Sequence, residues 1–282
     1  VLIMTFNQIT IVIPSYKSGE KILRCLKSIN NQCKTIVIEN SKDISFKEKI
    51  EKNFANVECL IAGDNLGYAK GNNLGLSKVK TKFALILNPD AELEKNTLNN
   101  FFNTVNKIKN FAVIGPAIQD EKNIENNVKE FTEVDSIKGF AMFLNLEEFN
   151  NIGFFDENFF IYLEEIDLCK RLRKKNKKIF IDPGILIHHQ GGSSHEEKYN
   201  FEMELSRNWH WMWSTFYFTK KHKGFSAALL YVSGKLISSL VKYVFYLLIL
   251  KNSKKLIYKQ RILGLFNSIA GKPSWYRPFN NN

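Results

Sequence analysis

The chain has 282 residues, of which 44% are hydrophobic and 24% are charged, and its net charge is +12 at pH 7. A chain of this length and composition can bury a full hydrophobic core, which excludes an intrinsically disordered protein and favours one large domain with an appendage. The positive charge favours an anionic partner, and nucleotide phosphates, acidic lipid headgroups and nucleic acids all meet that condition. Cys25, Cys33, Cys59 and Cys169 have no paired metal-ligand spacing, and the opening residues are too short an apolar run for a secretory leader, so we expect reduced thiols in a cytosolic protein.

Short apolar runs alternate with amphipathic segments through the first part of the chain. They predict strands at residues 9–13, 35–38, 57–61, 83–87 and 111–114, and helices at residues 20–29, 72–79 and 94–109. This βαβ order predicts an α/β fold in which a mostly parallel sheet carries helices on both faces. Turn residues follow the first three strands, at 14–15, 40–41 and 63–65, and we expect these loops to line one rim.

The first acidic cluster directly follows the predicted strand at residues 83–87. It reads Asn88-Pro89-Asp90-Ala91-Glu92, and Pro89 ends the strand's ladder. Open α/β sheets bind ligands at the carboxyl ends of their strands. Residues two apart in extended backbone project to the same side, so Asp90 and Glu92 can meet one hard cation, which in turn can hold a diphosphate. The alternative is an Asx turn and a helix start, where acidic side chains are favoured.

A second acidic cluster, Glu164, Glu165 and Asp167, is followed further along the chain by His188 and His189. The carboxylates open a predicted helix, so capping of its positive end is the structural alternative to a catalytic role. Side chains alternate in extended backbone, which sends only one of the two histidine rings inward. The two acidic clusters and a histidine together suggest a metal-and-base site.

Seven short segments carry a family resemblance. They are VIPSY (12–16), VIENS (37–41), NLGYAKGNNLG (65–75), LNPD (87–90), KGFAM (138–142), EEIDL (164–168) and HHQGGSS (188–194). In this order they resemble the family-two glycosyltransferases of GT-A fold, a Rossmann-like nucleotide-binding fold, and most closely the rhamnosyltransferase-like branch. The resemblance implies inverting transfer of a sugar from a nucleotide diphosphate donor to an acceptor hydroxyl, with a divalent cation, Mn²⁺ or Mg²⁺, on the diphosphate.

The resemblance also implies a donor site. By position it is formed by Pro14, Ser15, Tyr16, Glu39, Asn65, Gly67, Gly71, Asn72, Asn88 and Asp90. Glu39 departs from the family, which usually has aspartate there for the base or ribose, and Lys17 stands where this branch usually has asparagine. Gly67 and Gly71 allow close backbone approach to the donor, although a turn and helix entry is the alternative for this segment.

For the metal and the chemistry, the resemblance assigns Asp90 as the metal-binding aspartate and Glu92 as the second acidic residue of a DxD-like motif. Glu165 stands where relatives have a catalytic aspartate, so we expect it to deprotonate the acceptor hydroxyl, with Glu164 as the reserve candidate. We expect Asp167, like Gly139, to order the helix start or the acceptor. In many relatives a histidine completes the metal shell, and we prefer His188 over His189 for that place.

The composition changes after about residue 205, where tryptophans and lysines precede an apolar stretch at residues 225–250. On a helical wheel the small and basic residues share one face, namely Gly234, Lys235, Ser238, Ser239 and Lys242, which is typical of an interfacial membrane helix. A true span is the runner-up, because each interior lysine costs about 2.5–3.5 kcal/mol at the bilayer centre. A helix packed on the catalytic domain or on a second subunit is the soluble alternative.

These observations predict a GT-A catalytic domain at residues 1–204 and a membrane-associated helical extension at residues 205–282. The expected function is an inverting glycosyltransferase on the cytoplasmic face of a bacterial inner membrane, which moves a sugar, first of all rhamnose, to a cell-surface polysaccharide or lipid-linked glycan. The alternatives are a sugar nucleotidyltransferase and a non-catalytic membrane-bound scaffold. The basic run at residues 170–178 reads as a solvated helix face, so we expect no nucleic-acid partner, and the oligomeric state stays open.

Overall fold

A computed structural model of the protein describes residues 5–108, 110–116, 130–189, 191 and 194–279. The chain divides into two compact units. The first comprises Val1–Phe155 and Glu165–Glu196, and the second comprises Asp156–Glu164 and Glu197–Asn282. The predicted boundary after residue 204 therefore falls inside a helix of the second unit, Asn200–Lys223.

The first unit alternates strands and helices. Its strands are β1 Ile9–Ser15, β2 Lys34–Glu39, β3 Val57–Ile61, β4 Phe83–Leu87, β5 Ala91–Leu93, β6 Val113–Pro116, β7 Thr132–Glu133, β8 Ala141–Asn145, β9 Ile179–Asp182 and β10 Ile187–His189. Its helices are α1 Glu20–Ile29, α2 Ile44–Asn53, α3 Gly67–Leu76, α4 Thr97–Lys107 and α5 Glu164–Lys174, the last beginning one residue before the unit.

Eight strands form one sheet in the order β3-β2-β1-β4-β8-β6-β9-β7. The first four are parallel neighbours, β8 is antiparallel to both β4 and β6, and β7 is antiparallel to β9. Strands β1 and β4 are buried along their whole length, because helices cover both faces of a parallel sheet. The predicted α/β fold with a mostly parallel sheet is confirmed.

The local patterns explain the elements that surround the site. In α1 the apolar side chains recur every three or four residues, and Ile22, Leu26 and Ile29 are fully or nearly fully buried. Helix α3 begins at Gly67, five residues earlier than predicted, so the glycine-rich segment forms its first turns instead of a loop. A second sheet pairs β5 with β10 in antiparallel register and places His189 opposite Ala91. The sequence reading did not predict β5, β8 or α2.

The second unit is helical, with α6 Asn200–Lys223, α7 Phe225–Leu248 and α8 Asn252–Ile269. A small apolar core joins the three helices through Met212, Phe216, Ala228, Val232 and Leu265. Among the described residues, α7 alone has the length and apolar composition needed to cross a membrane. Helix α7 buries Ala228, Val232 and Ser239, whereas its large apolar side chains Leu230, Ile237 and Leu248 are exposed.

Candidate active site

The three predicted loops meet at the carboxyl edge of the sheet. The backbone N–H of Asn40 donates to the Ser15 carbonyl at 2.9 Å, and the side-chain oxygen of Asn40 accepts from the Leu66 backbone N–H at 3.3 Å. These bonds join the segments that follow β1, β2 and β3, which confirms the predicted rim. Pro14 and Ser15 are buried in it, and Tyr16 is half-buried.

Glu39 closes the turn at the end of β2. Its Oε1 accepts hydrogen bonds from the backbone N–H of Ser41 at 2.5 Å and from the Ser41 hydroxyl. Burial raises the pKa of Glu39, while the two bonds from Ser41 lower it in part. The carboxylate is therefore held in one orientation at the rim, and its predicted contact with the donor nucleotide stays a prediction.

Glycines let α3 approach the rim closely. A Cβ added to Gly71 would lie 3.3 Å from the Asn40 side-chain nitrogen and 3.4 Å from Cβ of Pro14. Gly67 has a φ of +73°, a conformation that favours glycine, and its N–H donates to the Asn65 side-chain oxygen at 3.1 Å. A larger residue at Gly71 would crowd Asn40 and Pro14, and one at Gly67 would be strained by the positive φ.

His189 faces Asp90 directly after β4. Its Nε2 lies 3.4 Å from Oδ1 of Asp90 and 3.3 Å from the side-chain nitrogen of Asn88. The imidazole ring also stacks on Phe140, with 4.4 Å between ring centroids. The side chain of Asp90 is 2% exposed and that of His189 is 19% exposed. A carboxylate and an imidazole thus converge in a mostly desolvated place at the sheet edge.

Two residues predicted for the metal site lie apart from Asp90. His188 does not face the site, because alternation along β10 turns it outward, where its Nε2 lies 2.9 Å from Oε1 of Glu94 and its side chain is 70% exposed. The carboxylates of Glu92 and Asp90 do not converge on one point. Glu92 stands opposite His188 in the β5–β10 register and forms an ion pair with Arg24 at 3.0 Å.

The donor set at Asp90 fits a hard divalent cation that is shared with a substrate. No group of three His, Cys, Asp or Glu side chains converges among the residues that the structure describes. Mg²⁺ and similar ions are commonly held by one or two protein groups together with substrate phosphates, so Asp90 and His189 are sufficient protein ligands for that arrangement. Gln190, Gly192 and Ser193 of the last motif lie outside the described residues.

Glu165 lies beside Gly139 and Tyr68. A Cβ added to Gly139 would stand 3.5 Å from Cβ and Cγ of Glu165 and 3.3 Å from the Tyr68 hydroxyl, which donates a hydrogen bond to the Gly139 carbonyl. Tyr68 belongs to α3, so this helix reaches both the rim and the second acidic cluster. Asn72, one turn on, is fully buried and its side-chain nitrogen donates to the Tyr68 carbonyl at 3.0 Å, and its predicted contact with the donor stays a prediction.

Asp167 orders its surroundings. Its carboxylate is fully buried and accepts from Nε of Arg171 at 2.8 Å. The same guanidinium donates to the carbonyls of Ile152 and Phe154, and so ties the segment before the second unit to α5. These contacts support the predicted ordering role, and full burial gives Asp167 no surface for an acceptor.

Glu164, the reserve base, belongs to the second unit and is 5% exposed. The pKa of the neighbouring Tyr162 is raised to about 12, chiefly by burial. The charge of Arg207 lowers this pKa, and the charge of Glu164 raises it.

The sequence reading missed three contributors to the site. Asn40 and Tyr68 lie within the segments VIENS and NLGYAKGNNLG, so the motifs contained them without revealing their contacts. Phe140 lies in KGFAM, and only the pairing of distant strands shows that its ring supports a histidine.

Comparison with known proteins identifies relatives of the chain. The family described as "Glycosyl transferase family 2" matches residues 10–169. A hexosyltransferase of low-salt glycan biosynthesis from Haloferax volcanii is 27% identical over 199 residues, which cover 61% of this chain and 64% of that protein. Rhamnosyltransferase WbbL of Escherichia coli is 23% identical over 238 residues, which cover 71% of this chain and 88% of that protein. An N-acetylglucosaminyl-diphospho-decaprenol L-rhamnosyltransferase of Mycobacterium tuberculosis is 17% identical over 235 residues, 65% of this chain and 76% of that protein.

Solved structures share the fold. A mannosyltransferase from Pyrobaculum calidifontis, determined in complex with GDP-Man and Mn²⁺, aligns with a TM-score of 0.61 at 12% identity over 94% of this chain and 88% of that chain. Staphylococcus aureus TarS in complex with UDP-GlcNAc aligns with a TM-score of 0.54 at 14% identity over 97% of this chain and 93% of that chain. The predicted GT-A-like fold with a C-terminal helical extension is confirmed.

Proposed function

Since the chain belongs to glycosyl transferase family 2, we propose that it transfers a sugar, with inversion, from a nucleotide diphosphate donor to a glycan hydroxyl. The observation that carries this proposal is the pairing of Asp90 with His189 at the carboxyl edge of the sheet, where open α/β sheets bind ligands. Glu165 supplies a carboxylate from a separate helix, so one group is available for the diphosphate and another for the acceptor.

The donor nucleotide occupies the rim. Buried Pro14 and Ser15 fix the first loop, Glu39 presents a carboxylate held by Ser41, and Gly71 keeps α3 close. The hydroxyl groups of a ribose and the amide groups of a base need hydrogen-bond partners. The rim offers them backbone groups and a fixed carboxylate.

Asp90 and His189 would hold a divalent cation, Mn²⁺ or Mg²⁺, for the diphosphate. When bound, such an ion neutralises charge that develops on the departing diphosphate. Asp90 contributes a negative charge from a nearly dry site, and Asn88 and Phe140 keep the His189 ring in its place. The mannosyltransferase neighbour was solved with Mn²⁺, which supports this choice of ion.

Glu165 is the general base. It accepts the proton of the acceptor hydroxyl as that oxygen forms a bond to the anomeric carbon, while the bond from this carbon to the diphosphate oxygen breaks and the nucleoside diphosphate leaves. Gly139 and Tyr68 limit where the Glu165 side chain can lie. Glu164 is the second candidate for this role.

For substrates, we propose rhamnose from a thymidine diphosphate donor as the first choice, because two relatives are rhamnosyltransferases. The acceptor is a lipid-linked glycan or a growing cell-surface polysaccharide, and the enzyme works at the cytoplasmic face of a bacterial membrane. A lipid-linked acceptor agrees with the exposed apolar helix α7.

The experiment that tests this function needs no knowledge of the acceptor. Thermal stability of the full chain is measured with uridine, thymidine, guanosine and cytidine diphosphates, each with and without Mn²⁺, because a ligand that binds the native state raises its stability by mass action. We expect a Mn²⁺-dependent rise with one nucleotide, lost in Asp90→Ala and kept in Glu165→Gln. Transfer from the matching nucleotide sugar should fall about 10²–10⁴-fold in Glu165→Gln.

Two results would contradict the proposal. No response to any nucleotide would favour a non-catalytic protein with this fold. Transfer by Glu165→Gln at the parental rate would exclude Glu165 as the base and direct attention to Glu164.

A further inference from the structure

Helix α7 carries a continuous apolar face on the outside of the second unit. The residues at positions i, i+7, i+11, i+14 and i+18 fall on one side of a helix with 3.6 residues per turn. They are Leu230, 78% exposed, Ile237, 62%, Val241, 63%, Val244, 50%, and Leu248, 75%. The connection to α8 continues this surface with Leu250, 81% exposed. An apolar surface of this extent is typical of an interaction site.

The opposite side of α7 is covered by its own unit. Ala228 and Val232 are buried against α6 and α8, and Tyr246 stacks on Tyr258 of α8 with 5.5 Å between ring centroids. Helix α8 is not apolar, because it contains Lys254, Lys255, Lys259 and Arg261. If α7 crossed a bilayer with these contacts intact, α8 would take its cations into the hydrocarbon core. The packing therefore favours a helix that lies along a surface.

The charge of the protein is concentrated in the same part of the chain. Residues 205–282 contain 13 lysines and arginines and no aspartate or glutamate, whereas residues 1–204 contain 27 basic and 28 acidic residues. Lys220 lies over the Phe225 ring at 5.8 Å, Lys235 over Tyr231 at 5.5 Å and Lys242 over Tyr258 at 5.5 Å. Their alkyl stems thus run along aromatic surface, as in side chains that place an ammonium group at a membrane interface.

From these observations we infer that α7 lies flat in one leaflet of an anionic bilayer, with its apolar face among the acyl chains and the lysines of α7 and α8 at lipid phosphates. This deepens the proposed membrane association by naming the lipid class and the binding face. It does not depend on turnover, since the nucleotide experiments test the first unit and vesicle binding tests the second.

The test uses the full chain and vesicles of phosphatidylcholine, alone or mixed with phosphatidylglycerol. We expect at least about tenfold tighter binding to the anionic vesicles at low salt, and loss of that difference at high salt. Ile237→Glu with Val241→Glu should abolish binding to both vesicles. Ile44→Glu is the matched control, because Ile44 is 64% exposed on α2. Lys251→Gln with Lys254→Gln should weaken only the anionic component.

Three outcomes would overturn the inference. Equal binding to both vesicles would remove the charge contribution. Resistance of the vesicle-bound protein to extraction at alkaline pH, in the manner of an integral helix, would indicate a span. Absence of vesicle binding, combined with a dimer in solution that Ile237→Glu dissociates, would identify a second copy of the chain as the occupant of this face.

A separate observation concerns the turn before the acidic cluster. Tyr162 and Leu163 have φ angles of +71° and +68°. Residues other than glycine rarely adopt this backbone conformation. Two such residues in succession persist only where surrounding contacts hold them. Glu164 and Glu165 follow immediately and begin α5.

Helix α6 supplies those contacts. The fully buried Ser214 donates its hydroxyl hydrogen bond to the Ile161 carbonyl at 2.9 Å. The Trp211 ring meets the Tyr162 ring edge to face, with 5.5 Å between centroids. Both contacts belong to one turn of α6, and both act on the residues just before the carboxylates.

The geometry points to Ser214 as a positioning residue, which sets the direction of Glu164 and Glu165 through the strained turn. This rests on the proposed role of a carboxylate as base. Ser214→Ala should lower kcat about 10–100-fold through misplacement of the base, while KM for the donor and nucleotide-induced thermal stabilisation stay at parental values. Ser214→Cys, which keeps the size and a weak donor, should recover part of kcat.

Ser206→Ala is the matched control, since Ser206 is also buried on α6, at 2% exposure. A parental kcat for Ser214→Ala beside an inactive Glu165→Gln would overturn the positioning role alone. Parental rates for both variants would also remove the base assignment. An increase in donor KM as large as the loss of kcat would show a general structural effect and would contradict positioning.

Discussion

Nε2 of His189 lies 3.4 Å from Oδ1 of Asp90, although the two residues are 99 positions apart in the chain. Three features hold this contact. Antiparallel pairing of β5 with β10 fixes the strand, stacking on Phe140 fixes the ring, and the Asn88 amide lies 3.3 Å from the same nitrogen. The neighbouring His188 shares the strand pairing, opposite Glu92, but its ring turns to the other side and faces solvent beside Glu94.

The two histidines should therefore differ in function. His189→Ala removes the imidazole beside Asp90, so we expect a loss of the Mn²⁺-dependent part of nucleotide stabilisation and a fall in transfer of about 10–100-fold, as for other metal-site substitutions. His188→Ala is the control and should match the parent in both measurements. Equal effects of the two substitutions, measured by titration of Mn²⁺ at fixed nucleotide, would contradict this assignment.

This contact also shows what the sequence alone could predict. Local periodicity was enough for the parallel strands, because their apolar runs and following turns are features of neighbouring residues. The choice between His188 and His189 depends on the register of β10 against a strand formed by Ala91–Leu93, and that pairing is non-local. Alternation predicted that one ring turns inward, but only the register determines which one.

The position of Glu92 depends on a similar non-local contact. Spacing predicts that it lies on the same side as Asp90, whereas in the structure it pairs with the Arg24 guanidinium of α1 at 3.0 Å. A sequence pattern shows which groups can converge, while the packing of α1 beside β5 decides which partner a carboxylate takes. The position of Tyr68 between α3 and Gly139 is likewise a tertiary feature.

Gly264 should be essential for the crossing of α6 and α8. A Cβ at this position would overlap the Trp209 carbonyl oxygen, which is backbone and cannot move aside cheaply. We expect Gly264→Ala to destabilise the second unit by about 1–3 kcal/mol through overpacking. Gly234→Ala on α7 meets nothing within 4 Å and should instead stabilise by about 0.5–1 kcal/mol.

Tryptophan fluorescence during urea unfolding measures both effects, because all four tryptophans lie in the second unit. A neutral Gly264→Ala would mean that the helices are further apart than the structure has them.

Arg171 and Arg173 provide a second comparison, two residues apart on α5. Arg171 pairs with the fully buried Asp167 and donates to the Ile152 and Phe154 carbonyls. Because Arg171→Ala removes an ion pair from a fully buried carboxylate and hydrogen bonds from two backbone carbonyls, it should cost about 3–5 kcal/mol of unfolding free energy. Arg173 forms its ion pairs at the surface with Glu133 and Asp135, so Arg173→Ala should cost about 0–1 kcal/mol.

Differential scanning calorimetry of the two variants tests this difference in the first unit. Equal shifts in the unfolding temperature would show that the Asp167–Arg171 pair contributes no more than a surface ion pair.

His210 should make the stability of the second unit depend on pH. Its ring is fully buried and stacks on Phe160, and Nε2 donates to the Tyr276 carbonyl at 2.8 Å, which places the neutral ring's proton on that nitrogen. Burial lowers the pKa of His210 from 6.5 to about 3. The unfolded chain therefore binds a proton first as the pH falls, so His210 contributes stability above pH 6.5 that is lost progressively toward pH 3.

Over that interval the loss has a limiting slope of about 1.4 kcal/mol per pH unit. His210→Phe keeps the aromatic stack and removes the titrating group, so we expect a smaller loss of unfolding free energy between pH 7 and pH 5 than in the parent. Urea unfolding followed by tryptophan fluorescence at the two pH values measures the difference, and identical slopes in the parent and His210→Phe would show that the imidazole is protonated in the folded protein.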